Sequence, residues 1–431
     1  MFSFFRRTPV KNNYNASPQL RAGDEQSSPF RRHKPDYTIF VVAVILLIIG
    51  LIVVYSISPA LAANQDVGDN YYVNKQLVAI VLGLAAFWIF SAMPVNFIKN
   101  STKLLIWISL IGIVLVQAFG EEVNGAHRWI QIGGVSFQVA ELIKFTVIVW
   151  LAGFLVSRLA DDSIKSSSKT LKPIFILLAI VGFVVIGLQG DFGSAAVIAA
   201  IIGVMAYSAG MPLKRIGVIA GIVGIGLIIA IAATPYRRER IATFLNPSSD
   251  CQSAGYQSCQ ALIAVGSGGV FGLGIGNGAQ AYGYLPEAEN DSIFAIVGEK
   301  FGFLGASAVI GLYVLLFSRL RRIIQRTDDS FARLFVIGVL GWLSIQTIIN
   351  IGAMIGLLPL KGITLPLISY GGTSLVFVLA ALGVVFQISR FSSYSPLRNA
   401  RINEKVGGHP GENTFGRRRQ RRPYYAASRG S

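Results

Sequence analysis

An all-α polytopic membrane protein, with about ten transmembrane helices and one large extracytoplasmic loop, is the fold class this sequence predicts. Three observations predict it. Of 431 residues, 53% are hydrophobic and only 14% charged, against about 45 to 50% apolar and 25% charged in soluble domains. Apolar stretches of about 17 to 25 residues, long enough to cross a ~30 Å hydrocarbon core, recur along the chain. The basic residues behind the formal charge of +17 concentrate in two tails and in alternate short loops. That distribution fits a membrane surface and not a nucleic-acid groove.

Residues 1–36 carry Arg6, Arg7, Lys11, Arg21, Arg31, Arg32 and Lys34 among Asn, Ser and Pro. They are too polar to build a core and are expected to be a disordered cytoplasmic tail. The first apolar run, Tyr37 to Ser58, exceeds the roughly 7 to 15 residues of a signal-peptide core and is expected to remain as a span. Further spans are predicted near 77–93, 103–119, 138–156, 172–189, 192–210, 216–234, 292–317, 331–354 and 373–390, giving a membrane domain over 37–391. The short gap at Gln189 to Asp191 has room to hide a re-entrant element. Residues 392–431, with Arg417, Arg418, Arg419, Arg421 and Arg422, form a second basic tail, either solvated beside anionic lipid or docked on a specific partner.

Orientation follows from the short loops, because Lys and Arg are retained on the cytoplasmic side. The even-numbered connections hold Lys99 and Lys103; Arg158, Lys165, Lys169 and Lys172; Lys214 and Arg215; then Arg319, Arg321, Arg322 and Arg326. The odd-numbered ones hold far fewer, so both termini are expected in the cytoplasm. The segment 235–290 then becomes the large extracytoplasmic loop. It contains Cys251 and Cys259, the only cysteines, on the oxidising side. A disulfide there would close a short loop and stabilise by roughly 2 to 3 kcal/mol; two free thiols are the alternative. A glycine-rich run from Gly266 to Gly278 follows, without the Gly-Lys-Ser/Thr ending of a phosphate-binding loop.

Ionisable residues inside spans are costly in lipid and so become candidates for function or for buried pairing. Glu141 and Lys144 lie three apart on one helix face, as a structural ion pair or a substrate contact. Glu299 and Lys300 are adjacent and need separate partners. Asp291 stands where the eighth span begins, either as a helix N-cap or as a general base for a sugar hydroxyl. Arg128, Arg237, Arg238, Arg240 and Lys361 share its membrane face, either anchoring the protein at the lipid interface or holding a diphosphate. With only His33, His127 and His409, no zinc-ligand cluster or Ser/His/Asp constellation can be assembled, and no Walker motif occurs.

Five segments, in order, resemble the SEDS family (shape, elongation, division and sporulation) of peptidoglycan glycosyltransferases: GAHRWI at 125–130, FQVAELIK at 137–144, LQGDFGSA at 188–195, LPEAENDSIFAIVGEKFGFLG at 285–305 and LPLKGITLPLISYGGTS at 358–374. The likeness runs from about Asp36 to Phe391, and the LPEA and KGITLP runs are more similar to the division branch than to the elongation branch. It departs from the family where Val139 and Gly190 replace Pro, Asn290 replaces Thr, Ser292 replaces Phe and Ala281 replaces a basic residue.

The resemblance implies a ten-span enzyme of the bacterial plasma membrane, at the division septum, that polymerises lipid II into glycan strands and releases undecaprenyl diphosphate. It implies Asp291 as the catalytic carboxylate. Arg128, Gln189, Asp191, Lys361, Arg237 and Arg240 are the residues expected to bind substrate, and Glu141 and Lys144 match the family's polar pair. A divalent metal, not legible in the sequence, would help the leaving diphosphate. The implied partners are lipid II and the growing lipid-linked glycan, other division proteins, and a single-pass penicillin-binding transpeptidase, since the chain has no Ser-x-x-Lys acylation site in an extracytoplasmic domain. A lipid II flippase and a non-catalytic division scaffold are the competing readings. A flippase would favour repeated halves and midplane charges, of which only Glu141 and Lys144 occur. A scaffold leaves Asp291 and its motif without a role.

Overall fold

The computed structural model describes residues 34–123, 126–132, 135–232, 238, 244, 251–253, 255–360 and 362–391. Nearly all of both expected tails, and Arg237, Arg240 and Lys361, lie outside the described residues.

Among the described residues, eight helices are long and apolar enough to cross a membrane. They are α1 (Tyr37–Asn64), α2 (Tyr71–Ala92), α4 (Thr102–Phe119), α5 (Val139–Ala160), the segment Ser167–Leu188, α10 (Ile293–Arg326), α11 (Ser330–Met354) and α12 (Gly372–Ser389). The shorter α7 (Phe192–Ser208) and the apolar α8 (Leu213–Ala232) fall on the remaining two predicted spans. A short helix, α3 (Val95–Asn100), joins α2 to α4. Helix α9 (Tyr256–Ser267) lies in the large loop. Several starts are fixed by side-chain caps that satisfy otherwise unpaired N–H groups: Asp36 accepts from Thr38 N, Asp191 from Ser194 N and Asp329 from Ala332 N.

The expected gap at 189–191 holds no extra element. Segment 167–188 starts and ends in π-helical turns around α6 (Lys172–Gly182), and Gly190, at φ 61°, turns the chain directly into α7.

Helices α5, α11 and α12 form the buried centre, and α4 and α6 lie mostly on the outside. Small residues let backbones approach where hydrophobic burial gives no net drive between helices in lipid. Gly383 of α12 sits against the Phe87 backbone of α2, and Gly83 of α2 sits against Leu375 and Leu379 of α12. Gly338 of α11 leaves room for Ile148 of α5 and Met205 of α7.

Two features depart from the predicted all-helical pattern. A three-stranded antiparallel sheet, β1 (Glu121–Val123), β2 (Ala126–Ile132) and β3 (Val135–Gln138), lies between α4 and α5, with Trp129 opposite Gln138 and Ile130 opposite Phe137. Its strands are separated in sequence by Asn-Gly and Gly-Gly, the dipeptides favoured in two-residue hairpin connections. The second departure is in the eighth span. Helix α10 is broken at Gly302 (φ 66°, ψ −165°), leaving a buried arm, 293–301, and a long arm, 303–326, whose exposed Phe303, Leu304, Ile310 and Val314 suit lipid.

The glycine-rich run explains the break. Phe303 N and Leu304 N, freed from the helix at Gly302, donate to Gly269 O and Val270 O, while Leu273 N and Gly274 N donate to Glu299 O and Lys300 O. A Cβ at Gly268, Gly272 or Gly302 would overlap backbone of the opposite segment, so these glycines permit the ladder. Glu299 and Lys300 find their separate partners here. The Glu299 carboxylate accepts from Gln280 N (2.9 Å) and Ala281 N (3.2 Å), and Lys300 Nζ donates to Asn277 O. Cys251 and Cys259 are joined by a disulfide at the start of α9.

Gly272 and Gly276 separate close packing from backbone strain. Both have positive φ, 85° and 94°, but only at Gly272 would a Cβ strike the Lys300 backbone. Gly276→Ala should cost about 1 kcal/mol and Gly272→Ala about 2 to 4 kcal/mol, read as thermal unfolding of the detergent-solubilised protein. Equal shifts would mean that strain alone governs the glycine-rich run.

Candidate functional site

Asp291 lies at the end of the loop that precedes α10, and the N-cap of that helix is Ser292 rather than Asp291. The aspartate is therefore not placed as a helix cap. It is 8% exposed, and Gln257 Nε2 of α9 reaches both its Oδ1 (3.4 Å) and Ser292 Oγ (3.1 Å). The main chain around it is held tightly. Glu289 O accepts from Tyr370 N (2.8 Å), Asn290 O from Ser369 Oγ, and Asp291 O from Asn350 Nδ2 (2.7 Å). Beside Asp291 a small cleft of about 10 Å³, room for about one water, lies between α11 and the segment that follows it, lined by Ile349, Asn350, Ala353, Leu360, Gly362 and Ile363. Lys361 belongs to that segment by sequence.

Arg128, Gln189 and Asp191 come together as a second cluster. Arg128 projects from β2 and donates from Nε to Gln189 O (2.7 Å) and from Nη2 to Gly190 O (3.3 Å). Asp191 caps α7 through Oδ1 and accepts from Gln138 Nε2 at Oδ2 (3.3 Å). Gln189 is buried, and its Nε2 has no hydrogen-bond partner. The guanidinium thus orders a turn, and none of these bonds reaches Asp291.

Glu141 and Lys144 form a fully buried ion pair at 2.7 Å. Lys144 Nζ also donates to Gln346 Oε1 (3.3 Å) of α11, which accepts from Trp342 Nε1 (2.8 Å) as well. Gln346 Nε2 continues to Thr364 O (2.9 Å) and Oγ1 (3.2 Å). The sequence signal for Gln346 and Asn350 was two amides four apart in an apolar span, which are costly to bury without partners. Neither is ionisable, and Gln257 and Gln138 likewise carry no charge that would mark them in the sequence.

Among the described residues, the donors around Asp291 do not make up a protein-held divalent-ion site. No three His, Cys, Asp or Glu side chains converge among them.

The cell cycle protein family model that covers FtsW, RodA and SpoVE matches residues 36–394. The chain is 38% identical to the probable peptidoglycan glycosyltransferase FtsW of Coxiella burnetii, over 82% of this chain and 96% of that one. It is 35% identical to the stage V sporulation protein E of Bacillus subtilis, over 84% and 99%. A solved structure described as the coordination of polymerization and crosslinking by a peptidoglycan synthase complex matches with TM-score 0.64 and 26% identity, covering 83% of this chain and 98% of that chain. The rod shape determining protein RodA of Thermus thermophilus matches with TM-score 0.58 and 26% identity, over 84% and 98%.

Glu289, two residues before Asp291 and outside the spans, has a buried Oε2 without a hydrogen-bond partner. Burial, with Glu287 adding to it, pushes its carboxyl up to about 7 from 4.5. A carboxyl raised in the folded state favours the protonated form. Its contribution to stability is complete below about pH 4.5 and is lost as pH rises through about 7. The full shift corresponds to about 3 kcal/mol, reduced by solvent at this half-buried position. Glu289→Gln should therefore flatten the fall in melting temperature between about pH 5 and 8. An unchanged slope would assign that fall to other groups.

Proposed function

The chain belongs to the FtsW, RodA and SpoVE family of cell cycle proteins, and from that membership we propose that it is a peptidoglycan glycosyltransferase of bacterial cell division. It polymerises lipid II into glycan strands and releases undecaprenyl diphosphate. The observation that carries the assignment of its chemistry is the Asp291 carboxylate, which is not a helix cap, edges a cleft and sits on main chain pinned to the neighbouring segment.

Asp291 acts as the general base. Its carboxylate takes the proton from the 4-hydroxyl of the acceptor's GlcNAc as that oxygen bonds to the anomeric carbon of the donor's MurNAc. The bond from that carbon to the diphosphate oxygen breaks with inversion, and the diphosphate leaves with the negative charge. Lys361, next to the cleft by sequence, and Arg237 and Arg240 of the large loop are the cations assigned to that charge. Arg128, Gln189 and Asp191 support the face of the site on which the donor lies. Because Arg128 already binds two backbone carbonyls, its part is to hold the 189–191 turn in place. Glu141 and Lys144 support the site from inside the membrane.

A single-pass penicillin-binding transpeptidase that crosslinks the new strand is the proposed partner. The relative described as a peptidoglycan synthase complex supports that reading. The protein is further assigned to the division septum from its likeness to FtsW, and both termini are assigned to the cytoplasm from the distribution of Lys and Arg.

With purified protein and lipid II, Asp291→Asn should reduce strand synthesis by about 10²- to 10⁴-fold while folded yield and lipid II binding persist. Near-normal synthesis would remove Asp291 from the mechanism. For the orientation, a reporter fused after Phe391 should read cytoplasmic and one inserted near Ser253 extracytoplasmic; the reverse pattern would put Asp291 on the wrong side of the membrane for this reaction.

A further inference from the structure

Gln346 and Asn350 lie four apart on one face of α11, are 1% and 2% exposed, and both reach the segment after that helix. Asn350 Nδ2 donates to Ile363 O and to Asp291 O, each at 2.7 Å. Gln346 Nε2 donates to Thr364 O, and its Oε1 accepts from Lys144 and Trp342. Two consecutive carbonyls of the segment that contains Lys361, and the carbonyl of Asp291 itself, are therefore set by two side chains of one rigid helix. Asn350 Oδ1 is buried with no hydrogen-bond partner, so packing alone does not account for an amide at this position.

We propose that Asn350 and Gln346 are positioning residues that fix the Asp291 main chain against segment 360–364 and couple that geometry to the buried Glu141–Lys144 pair. The proposal rests on Asp291 as the base. The two side chains touch no reacting atom and act through the backbone they hold. Without Asn350, the Asp291 carbonyl loses its bond to α11 and, with the second bond of the same amide, its link to Ile363, and the carboxylate can shift relative to the cleft. Displacement of a reacting group by about 1 Å is enough to lower turnover about 100-fold without a matching loss of binding.

Asn350→Leu removes both donors while filling the space with an apolar group. Gln346→Glu keeps the acceptor for Lys144 and Trp342 but removes the donor to Thr364. Ser344→Ala, whose hydroxyl donates only to Gly341 O on the same helix, is the control. Each full-length variant is purified and its turnover of lipid II measured per folded molecule across pH, alongside Asp291→Asn. Asn350→Leu and Gln346→Glu should lower kcat about 10- to 100-fold with KM within about threefold of the parent. The acid limb of the kcat profile should move in Asn350→Leu and stay in place in Ser344→Ala. If Asn350→Leu yields no folded protein, Gln346→Glu decides by the same criterion. Parental kcat in the folded variants, with Asp291→Asn inactive, overturns the positioning role alone. An active Asp291→Asn overturns the base assignment and this proposal with it.

Discussion

Three consecutive carbonyls, those of Glu289, Asn290 and Asp291, are the constraint on which the site depends. Each accepts a hydrogen bond from a different donor: Tyr370 N, Ser369 Oγ and Asn350 Nδ2. Ser369 Oγ in turn accepts from Leu365 N, so the loop before α10 and the loop before α12 are bonded as one unit. Each bond is worth only about 1 kcal/mol net. Their effect is geometric. A carboxylate on a free loop would sample many positions, whereas one whose own carbonyl and the two before it are tied has few left. Pre-organisation of this kind is what the proposed base needs before its substrate arrives.

The other end of the loop is secured by the break in α10. A continuous helix through Gly302 would give Phe303 N and Leu304 N intrahelical partners and leave the carbonyls of Gly269 and Val270 unpaired. The break exchanges these for a backbone ladder against the glycine-rich run. Glu299 then finds two main-chain N–H groups, at Gln280 and Ala281. A carboxylate inside a membrane domain is thereby given hydrogen-bond partners without a cation, because donors converge on it from the main chain. That is also a physical role for the Ala281 region that requires no basic side chain.

The Glu141–Lys144 pair has a different logic. Desolvating both charges costs several kcal/mol per ion, and their attraction offsets this only with good geometry and further hydrogen bonds. Gln346 supplies one to Lys144, and Trp342 lies beside it. The pair, Gln346 and Thr364 form a continuous polar path from the centre of the bundle to the segment beside Asp291.

The sequence by itself determined the spans, the alternation of basic and poorly basic loops and the motifs that resemble the family. These are local or additive properties: a stretch of apolar residues crosses a bilayer whatever its neighbours are, and basic residues are retained by number. Asp291 was legible for the same reason, as a carboxylate within a specific motif. Tertiary structure alone decided that Asp291 lies before the N-cap instead of on it, that the eighth span breaks at Gly302, and that Arg128 holds the 189–191 turn. It also decided that Asn350 joins two loops 59 and 13 residues away in sequence. A hydrogen bond depends on which segments meet and at what angle. A span 25 residues long, such as α11, gives no sign in its own residues of which carbonyls will lie beside its amides.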